Sequence, residues 1–194
     1  VPLKEQRRFL GICLGAQMLA RHLGAAVAGH CGGQTEIGYY PISATDAGRT
    51  VVGDWPGHVY QWHREGLALP RGSRLLATGE VYPNQAYAYG EHAYGLQFHP
   101  EVTRAMVHRW TCRARKRMIL PGAKTRAEHL GDYDLYNPGV MRWLDAFLDF
   151  WLAEAPATAE QPDIAPGLDA DPDCTPGPPV QSCAPCCPGS HSKR

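Results

Sequence analysis

The stretch Phe9-Leu10-Gly11-Ile12-Cys13-Leu14-Gly15 decides the fold, because it joins a short apolar strand to a helix through a turn flanked by glycines. A cysteine between two such glycines has the G-x-nucleophile-x-G form of an elbow, in which small flanking residues permit a sharp turn. Cys13 would then lie at a helix N-terminus, where the helix dipole favours a thiolate over a thiol. Taken alone, the pattern is equally compatible with a tight connection around a small buried residue.

The residues that follow predict a mixed α/β arrangement. Apolar residues recur at helical spacing after Cys13, and Gly24 is placed to end that helix in a left-handed conformation. The turn Gly90-Glu91-His92 predicts a hairpin that places His99 just beyond the end of a strand. The predicted strands cover residues 36–42, 58–62, 75–78, 84–90 and 93–98.

Two further helices are predicted in the last third of the chain. The first covers residues 103–118 and ends in a basic cluster that suits the negative end of the helix dipole. Asn137 followed by Pro138 is typical of an N-cap and first turn, so the second helix is expected to begin there. It should pack against the sheet through an apolar stripe of Val140, Trp143, Leu144, Phe147 and Trp151.

Composition limits the classes of function. The 194 residues carry 19 Lys and Arg against 19 Asp and Glu, so no long-range field favours nucleic acid or an anionic membrane. No apolar run approaches the roughly 18 residues of a membrane span, and no export signal is evident. We therefore expect a cytoplasmic protein that binds neither nucleic acid nor membrane.

The chain is expected to contain one domain, residues 1–152, followed by a Pro/Cys-rich disordered tail, residues 153–194. The tail segment from residue 154 has nine prolines and no aromatic residue, so it cannot bury enough apolar surface to fold. It holds a group with the spacing of metal ligands, Cys183, Cys186, Cys187 and His191, but a zinc site needs a small fold around it. We therefore predict no metal and no cofactor. Cys31 and Cys112 are interpreted as packing residues.

The second informative stretch is Gly95-Leu96-Gln97-Phe98-His99-Pro100-Glu101, which places an imidazole at a strand end and a carboxylate two residues later. By itself this could be a capped strand end or a surface pair. A thiol nucleophile needs a base, and the base needs a third group that fixes its tautomer. Together with the elbow, the pattern predicts Cys13 as nucleophile, His99 as base and Glu101 as the orienting group.

These two stretches resemble the signatures of class I glutamine amidotransferases, the first extending through Ala16 and Gln17. The segments Gln61-Trp62-His63 and Pro83-Asn84-Gln85-Ala86, with the loop 121–133, further resemble the GMP synthase-like branch. The similarity spans about residues 2–152. One departure is Trp62-His63-Arg64-Glu65, where relatives usually show Trp-His-x-Asp, and His63 is left outside the catalytic set.

The resemblance implies a flavodoxin-like three-layer α/β/α sandwich, here expected to be N-terminally truncated and to lack its first strands. It implies hydrolysis of the glutamine side-chain amide through a Cys13 thioester, giving glutamate and ammonia for a separate acceptor synthetase. By the same resemblance, the Leu14 backbone amide would be an oxyanion donor and Gln17 would help to hold the substrate glutamine.

Two other functions remain open at the level of sequence. A γ-glutamyl hydrolase would keep the same fold and the same three residues but cleave other γ-glutamyl amides. A catalytically inactive remnant or binding module would retain the signatures without the activity, a reading suggested by the eight residues that precede Phe9.

Overall fold

The computed structural model describes residues 7–153, which form three layers around a five-stranded sheet. The strands are β1 (Phe9–Ile12), β2 (Val27–Gly29), β3 (Glu36–Pro41), β4 (Ser43–Ala44), β5 (His58–His63), β6 (Glu65–Leu67), β7 (Ser73–Thr78), β8 (Ala86–Tyr89) and β9 (Ala93–Leu96). The five-stranded sheet has the order β1-β9-β8-β7-β4, in which β1 runs parallel to β9 and the other neighbours are antiparallel. The helices are α1 (Leu14–His22), α2 (Asp46–Val51), α3 (Arg104–Arg113) and α4 (Arg126–Leu152).

Side chains that alternate along β8 and β9 supply a separate core to each face of the sheet. Tyr87 and Ala93 pack with α1 residues such as Leu19 on one face. Ala88 and Tyr94 pack on the other face with the α4 stripe. Because successive strand residues point to opposite faces, one hairpin serves both helical layers. This arrangement is the α/β/α sandwich that the resemblance of the two signature stretches implies.

The predicted β8–β9 hairpin and the end of the first helix are confirmed. Tyr89 pairs with Ala93 across the turn, and Gly90 takes a positive φ of 61° there. Gly24, just after α1, has a φ of 82°, in the left-handed region that glycine adopts without steric cost.

A third cluster lies between the β3–β5 ribbon and the helices α3 and α4. The two strands pair antiparallel, and their rings Tyr39 and Tyr60 are buried together with Val102 and Val107. The cluster packs the segment that follows β9 against β5.

The start of the last helix is predicted wrongly. The helix α4 begins at Arg126, where Thr125 and Glu128 form a capping box, and Pro138 lies inside the helix. Asn137 caps nothing: its side chain is buried and its Oδ1 accepts a hydrogen bond of 3.1 Å from the Tyr39 hydroxyl. A tertiary partner therefore uses the side chain that the local rule assigns to capping.

The helix predicted over residues 103–118 is shorter than expected. It ends at Arg113, and Arg117 N and Met118 N then donate to carbonyls three residues earlier, so a series of turns replaces the helix. The interpretation of Cys31 and Cys112 as packing residues is also wrong, because both are exposed.

The remaining expectations concern the chain ends and the membrane. The predicted tail, apart from Ala153, and its cysteine cluster lie outside the described residues. Among residues 7–153, no helix is both long enough and apolar enough to cross a bilayer.

Candidate active site

Cys13 occupies a strained turn between β1 and α1. Its φ of 48° and ψ of −101° make it the non-glycine residue with a positive φ among residues 7–153. Such a conformation costs on the order of 1–3 kcal/mol and persists only where the surroundings enforce it. Here the Cys13 amide donates to the Leu96 carbonyl at 2.7 Å, which ties the turn to the end of β9. The half-buried side chain has the geometry of an elbow.

Gly11 permits the close approach of strand and helix in this turn. A Cβ atom at Gly11 would lie 2.5 Å from the Gly15 carbonyl carbon and 2.7 Å from Ala16 N. These are backbone atoms of α1, so they cannot rotate away. A Cβ at Gly15, in contrast, would meet no atom within 4 Å. The two glycines that flank Cys13 therefore have different structural roles.

We expect Gly11→Ala to lower the free energy of unfolding by about 3 kcal/mol or more, because the methyl group overpacks a backbone contact. The matched control is Gly131→Ala in α4, where a Cβ would meet nothing within 4 Å. That change should stabilise the chain by up to about 1 kcal/mol through helix propensity. Urea denaturation of both variants checks the pair. Equal stability of Gly11→Ala and the unchanged chain would contradict the close approach.

His99 is held in place from several sides. Its backbone N–H donates to the Tyr60 carbonyl at 2.8 Å, and its Nδ1 lies 2.7 Å from Glu101 Oε1. The ring of Trp110 meets the imidazole edge-on, with 5.1 Å between ring centroids. Interaction with Cys13 also favours the charged form of the imidazole. Because Glu101 takes Nδ1, Nε2 is the nitrogen left to interact with the sulfur.

The surroundings of His99 favour its charged form. Burial alone would lower the pKa of His99, but hydrogen bonds and charge interactions with Cys13 and Glu101 outweigh burial and raise it to about 9. The imidazole therefore carries a proton at neutral pH. A protonated imidazole between a sulfur and a carboxylate can stabilise a thiolate and can donate its proton to a leaving group.

This pKa shift predicts a pH-dependent stability. The folded chain holds the His99 proton more tightly than the unfolded chain, whose histidine has the ordinary pKa of 6.5. The contribution of His99 to stability is therefore complete below about pH 6.5 and is lost as pH rises through about 9. In urea denaturation between about pH 6.5 and pH 9, the difference in free energy of unfolding between the wild type and His99→Gln should shrink as pH rises. A difference that stays constant with pH would contradict the shift.

Leu14 and Gln17 lie on the first turns of α1. The Leu14 amide belongs to the first turn, where helix geometry provides no intrahelical acceptor, and its side chain is exposed. Gln17 is buried, and its Nε2 donates to the Glu65 carbonyl at 2.7 Å and to Gln97 Oε1 at 3.2 Å. Their assignment to oxyanion and substrate binding stays a prediction.

His63 lies in a buried polar cluster. Its Nε2 lies 3.1 Å from Glu36 Oε2 and 3.0 Å from Gln61 Oε1, and both partners are buried. These contacts favour a structural role and agree with leaving His63 outside the catalytic set. Residues 7–153 contain no group of three or more His, Cys, Asp or Glu side chains that could hold a metal ion.

Sequence reasoning missed three contacts of the site: the Gln97 side chain, the Trp110 ring and the Tyr60 carbonyl. Gln97 lies inside the stretch that supplies His99, so its position in sequence was a usable signal. Trp110 contacts the imidazole from α3, and the Tyr60 carbonyl of β5 accepts from the His99 backbone N–H. Nothing in the local sequence of either residue marks it.

Comparison with known proteins assigns the family. Residues 3–109, more than half of the chain, match the family described as Glutamine amidotransferase class-I. The chain belongs to this family. The chain is 38% identical over 102 residues to the glutamine amidotransferase-like protein YfeJ of Salmonella typhimurium, a match covering 50% of this chain and 42% of YfeJ. It is 36% identical over 112 residues to the glutamine-hydrolyzing GMP synthase of Neisseria meningitidis, covering 52% of this chain and 21% of that enzyme.

Solved structures agree with the assignment. A glutamine amidotransferase from Thermotoga maritima superposes with a TM-score of 0.69 at 31% identity, covering 79% of this chain and 66% of that chain. A glutamine amidotransferase from Methylobacillus flagellatus shares the fold with a TM-score of 0.71 at 22% identity, covering 82% and 70% of the two chains. The matches to YfeJ and to the GMP synthase span less than half of the length of those two proteins.

Proposed function

We propose that this class I glutamine amidotransferase hydrolyses the side-chain amide of glutamine and that Cys13, His99 and Glu101 carry out the reaction. The observation that supports this best is the 2.7 Å hydrogen bond between His99 Nδ1 and Glu101 Oε1, on a histidine whose pKa is raised partly by interaction with Cys13. The bond fixes the orientation of a base that interacts with a half-buried thiol in a strained turn.

The first half of the reaction forms a thioester. The Cys13 thiolate attacks the amide carbon, and the negative charge moves to the carbonyl oxygen of the tetrahedral intermediate. The Leu14 N–H, which follows the elbow, is the proposed donor to that oxygen. The protonated His99 then gives its proton to the leaving nitrogen, the carbon–nitrogen bond breaks, and ammonia departs.

The second half releases glutamate. The neutral His99 takes a proton from water, the resulting hydroxide attacks the thioester, and the carbon–sulfur bond breaks to restore the thiolate. Glu101 accepts a hydrogen bond from Nδ1 throughout, which fixes the tautomer and stabilises the imidazolium. Gln17 would help to hold the substrate glutamine.

The ammonia would pass to a separate synthetase. The relatives include GMP synthases described as glutamine-hydrolyzing, which supports a partnership between glutamine hydrolysis and ammonia use. Transfer of the ammonia to a separate synthetase is itself part of the proposal.

The test measures glutamate and ammonia released from glutamine, in parallel with amine release from γ-glutamyl anilides. Glutamine hydrolysis with equal yields of the two products supports the proposal. Preferential cleavage of the anilides would instead favour a γ-glutamyl hydrolase. No turnover of either substrate by a chain that unfolds cooperatively would favour a binding module.

A further inference from the structure

Gln97 is a fully buried side chain beside Cys13 that the proposed reaction does not use. None of its surface is exposed, and its Nε2 lies 3.8 Å from Cys13 Sγ, within range for a hydrogen bond to sulfur. Its Oε1 accepts the 3.2 Å hydrogen bond from Gln17. Its backbone N–H donates to the Gln85 carbonyl at 2.8 Å, which fixes the main chain just after β9.

The neighbours of Gln97 determine which end of its amide faces the sulfur. The Glu65 carbonyl can only accept a hydrogen bond, so the Gln17 atom that contacts it at 2.7 Å must be the nitrogen. The same Gln17 nitrogen faces Gln97, which must therefore present its oxygen. The Gln97 nitrogen is left facing Cys13 Sγ.

A donor in this position distinguishes the two protonation states of the sulfur. A thiol is a weak acceptor, whereas hydrogen bonds to an ionised partner are roughly twice as strong as those between neutral groups. The Gln97 side chain is fully buried, so its amide cannot exchange the sulfur for a solvent acceptor. The buried N–H therefore stabilises the thiolate more than the thiol.

We propose that Gln97 is a second stabiliser of the Cys13 thiolate, one that carries no charge and acts in addition to His99. His99 supplies a charge and a mobile proton, whereas Gln97 supplies a fixed donor that never titrates. The inference rests on the proposed role of Cys13 as nucleophile, but it concerns the ionisation of the sulfur and is independent of which amide is cleaved.

The test measures alkylation of Cys13 by iodoacetamide as a function of pH, resolved by peptide mass spectrometry. The exposed Cys31 in the same molecule serves as the internal reference. In Gln97→Met, which keeps the length of the side chain but has no donor, the Cys13/Cys31 rate ratio should fall about tenfold near pH 6. The ratio should return to the wild-type value at high pH, where a thiol ionises without assistance.

The matched control is Gln85→Met, because Gln85 is equally buried and its side chain bonds to Glu36 and the Tyr82 carbonyl instead of the sulfur. It should lower thermal stability and leave the rate ratio unchanged. If Gln97→Met does not fold, Gln97→Asn withdraws the donor by one methylene and should shift the ratio in the same direction.

Two results would overturn the inference. One is a folded Gln97 variant with the wild-type ratio at every pH. The other is a ratio lowered equally at all pH values, which would indicate hindered access to the sulfur. Failure of glutamine hydrolysis with the tenfold effect intact would contradict the proposed function alone.

Discussion

Cys13→Ser is expected to lower the rate of glutamine hydrolysis by about 10⁴-fold or more and to abolish labelling by 6-diazo-5-oxo-L-norleucine, a glutamine analogue that alkylates the nucleophile. Serine is nearly isosteric with cysteine, so the strained turn and its hydrogen bond to Leu96 should survive. A hydroxyl group ionises far less readily than a thiol, so it presents little nucleophile at neutral pH. Intact mass after incubation, together with an ammonia assay, measures both effects.

The control for this substitution is Cys112→Ser. Cys112 is exposed on α3, so its loss should change neither labelling nor turnover. An adduct that persists in Cys13→Ser and disappears in Cys112→Ser would show that Cys112, and not Cys13, is the reactive thiol. Circular dichroism of each variant separates loss of chemistry from loss of fold.

His99→Gln should reduce the turnover of glutamine by about 10³-fold, because no other group in the site is placed to give a proton to the departing ammonia. The side-chain amide that this substitution introduces can still form hydrogen bonds within the site, so the surrounding structure should be preserved. The measurement is steady-state ammonia release, with the rate of labelling at Cys13 as a second readout of thiolate formation.

An exposed histidine provides the comparison. His22→Gln removes a side chain at the end of α1 and should leave turnover within twofold of the wild type. Retention by His99→Gln of more than a tenth of the wild-type rate would mean that a different group transfers the proton. In that case the hydrogen bond of His99 to Glu101 would have only a structural role.

Much of the fold near the site could be predicted because it depends on local patterns. Gly11 permits a close approach of strand and helix, and Gly90 takes a positive φ at the hairpin turn, so both positions are visible in sequence. The start of α4 is predicted wrongly, although Thr125 and Glu128 carry a local signal for it. Asn137 before Pro138 is a competing local signal, and its side chain binds Tyr39 instead of capping a helix.

The contacts around the imidazole and the sulfur could not be predicted in the same way. Trp110 reaches His99 from α3, and the direction of the Gln97 amide depends on a carbonyl of β6. Such contacts are set by how separate elements pack. Spacing along the chain can indicate which residues carry chemistry, but it does not specify which neighbours orient them.

The parallel pairing of β1 with β9 also imposes an order on folding. Cys13 and Gln97 are 84 residues apart in the chain, so the loop between them must close before the sulfur gains either the amide or the imidazole. Such non-local pairings form slowly, because the entropy of loop closure is lost before the contacts compensate for it. Until then Cys13 has neither partner. Reactivity that depends on these partners therefore reports that β1 and β9 have paired during refolding.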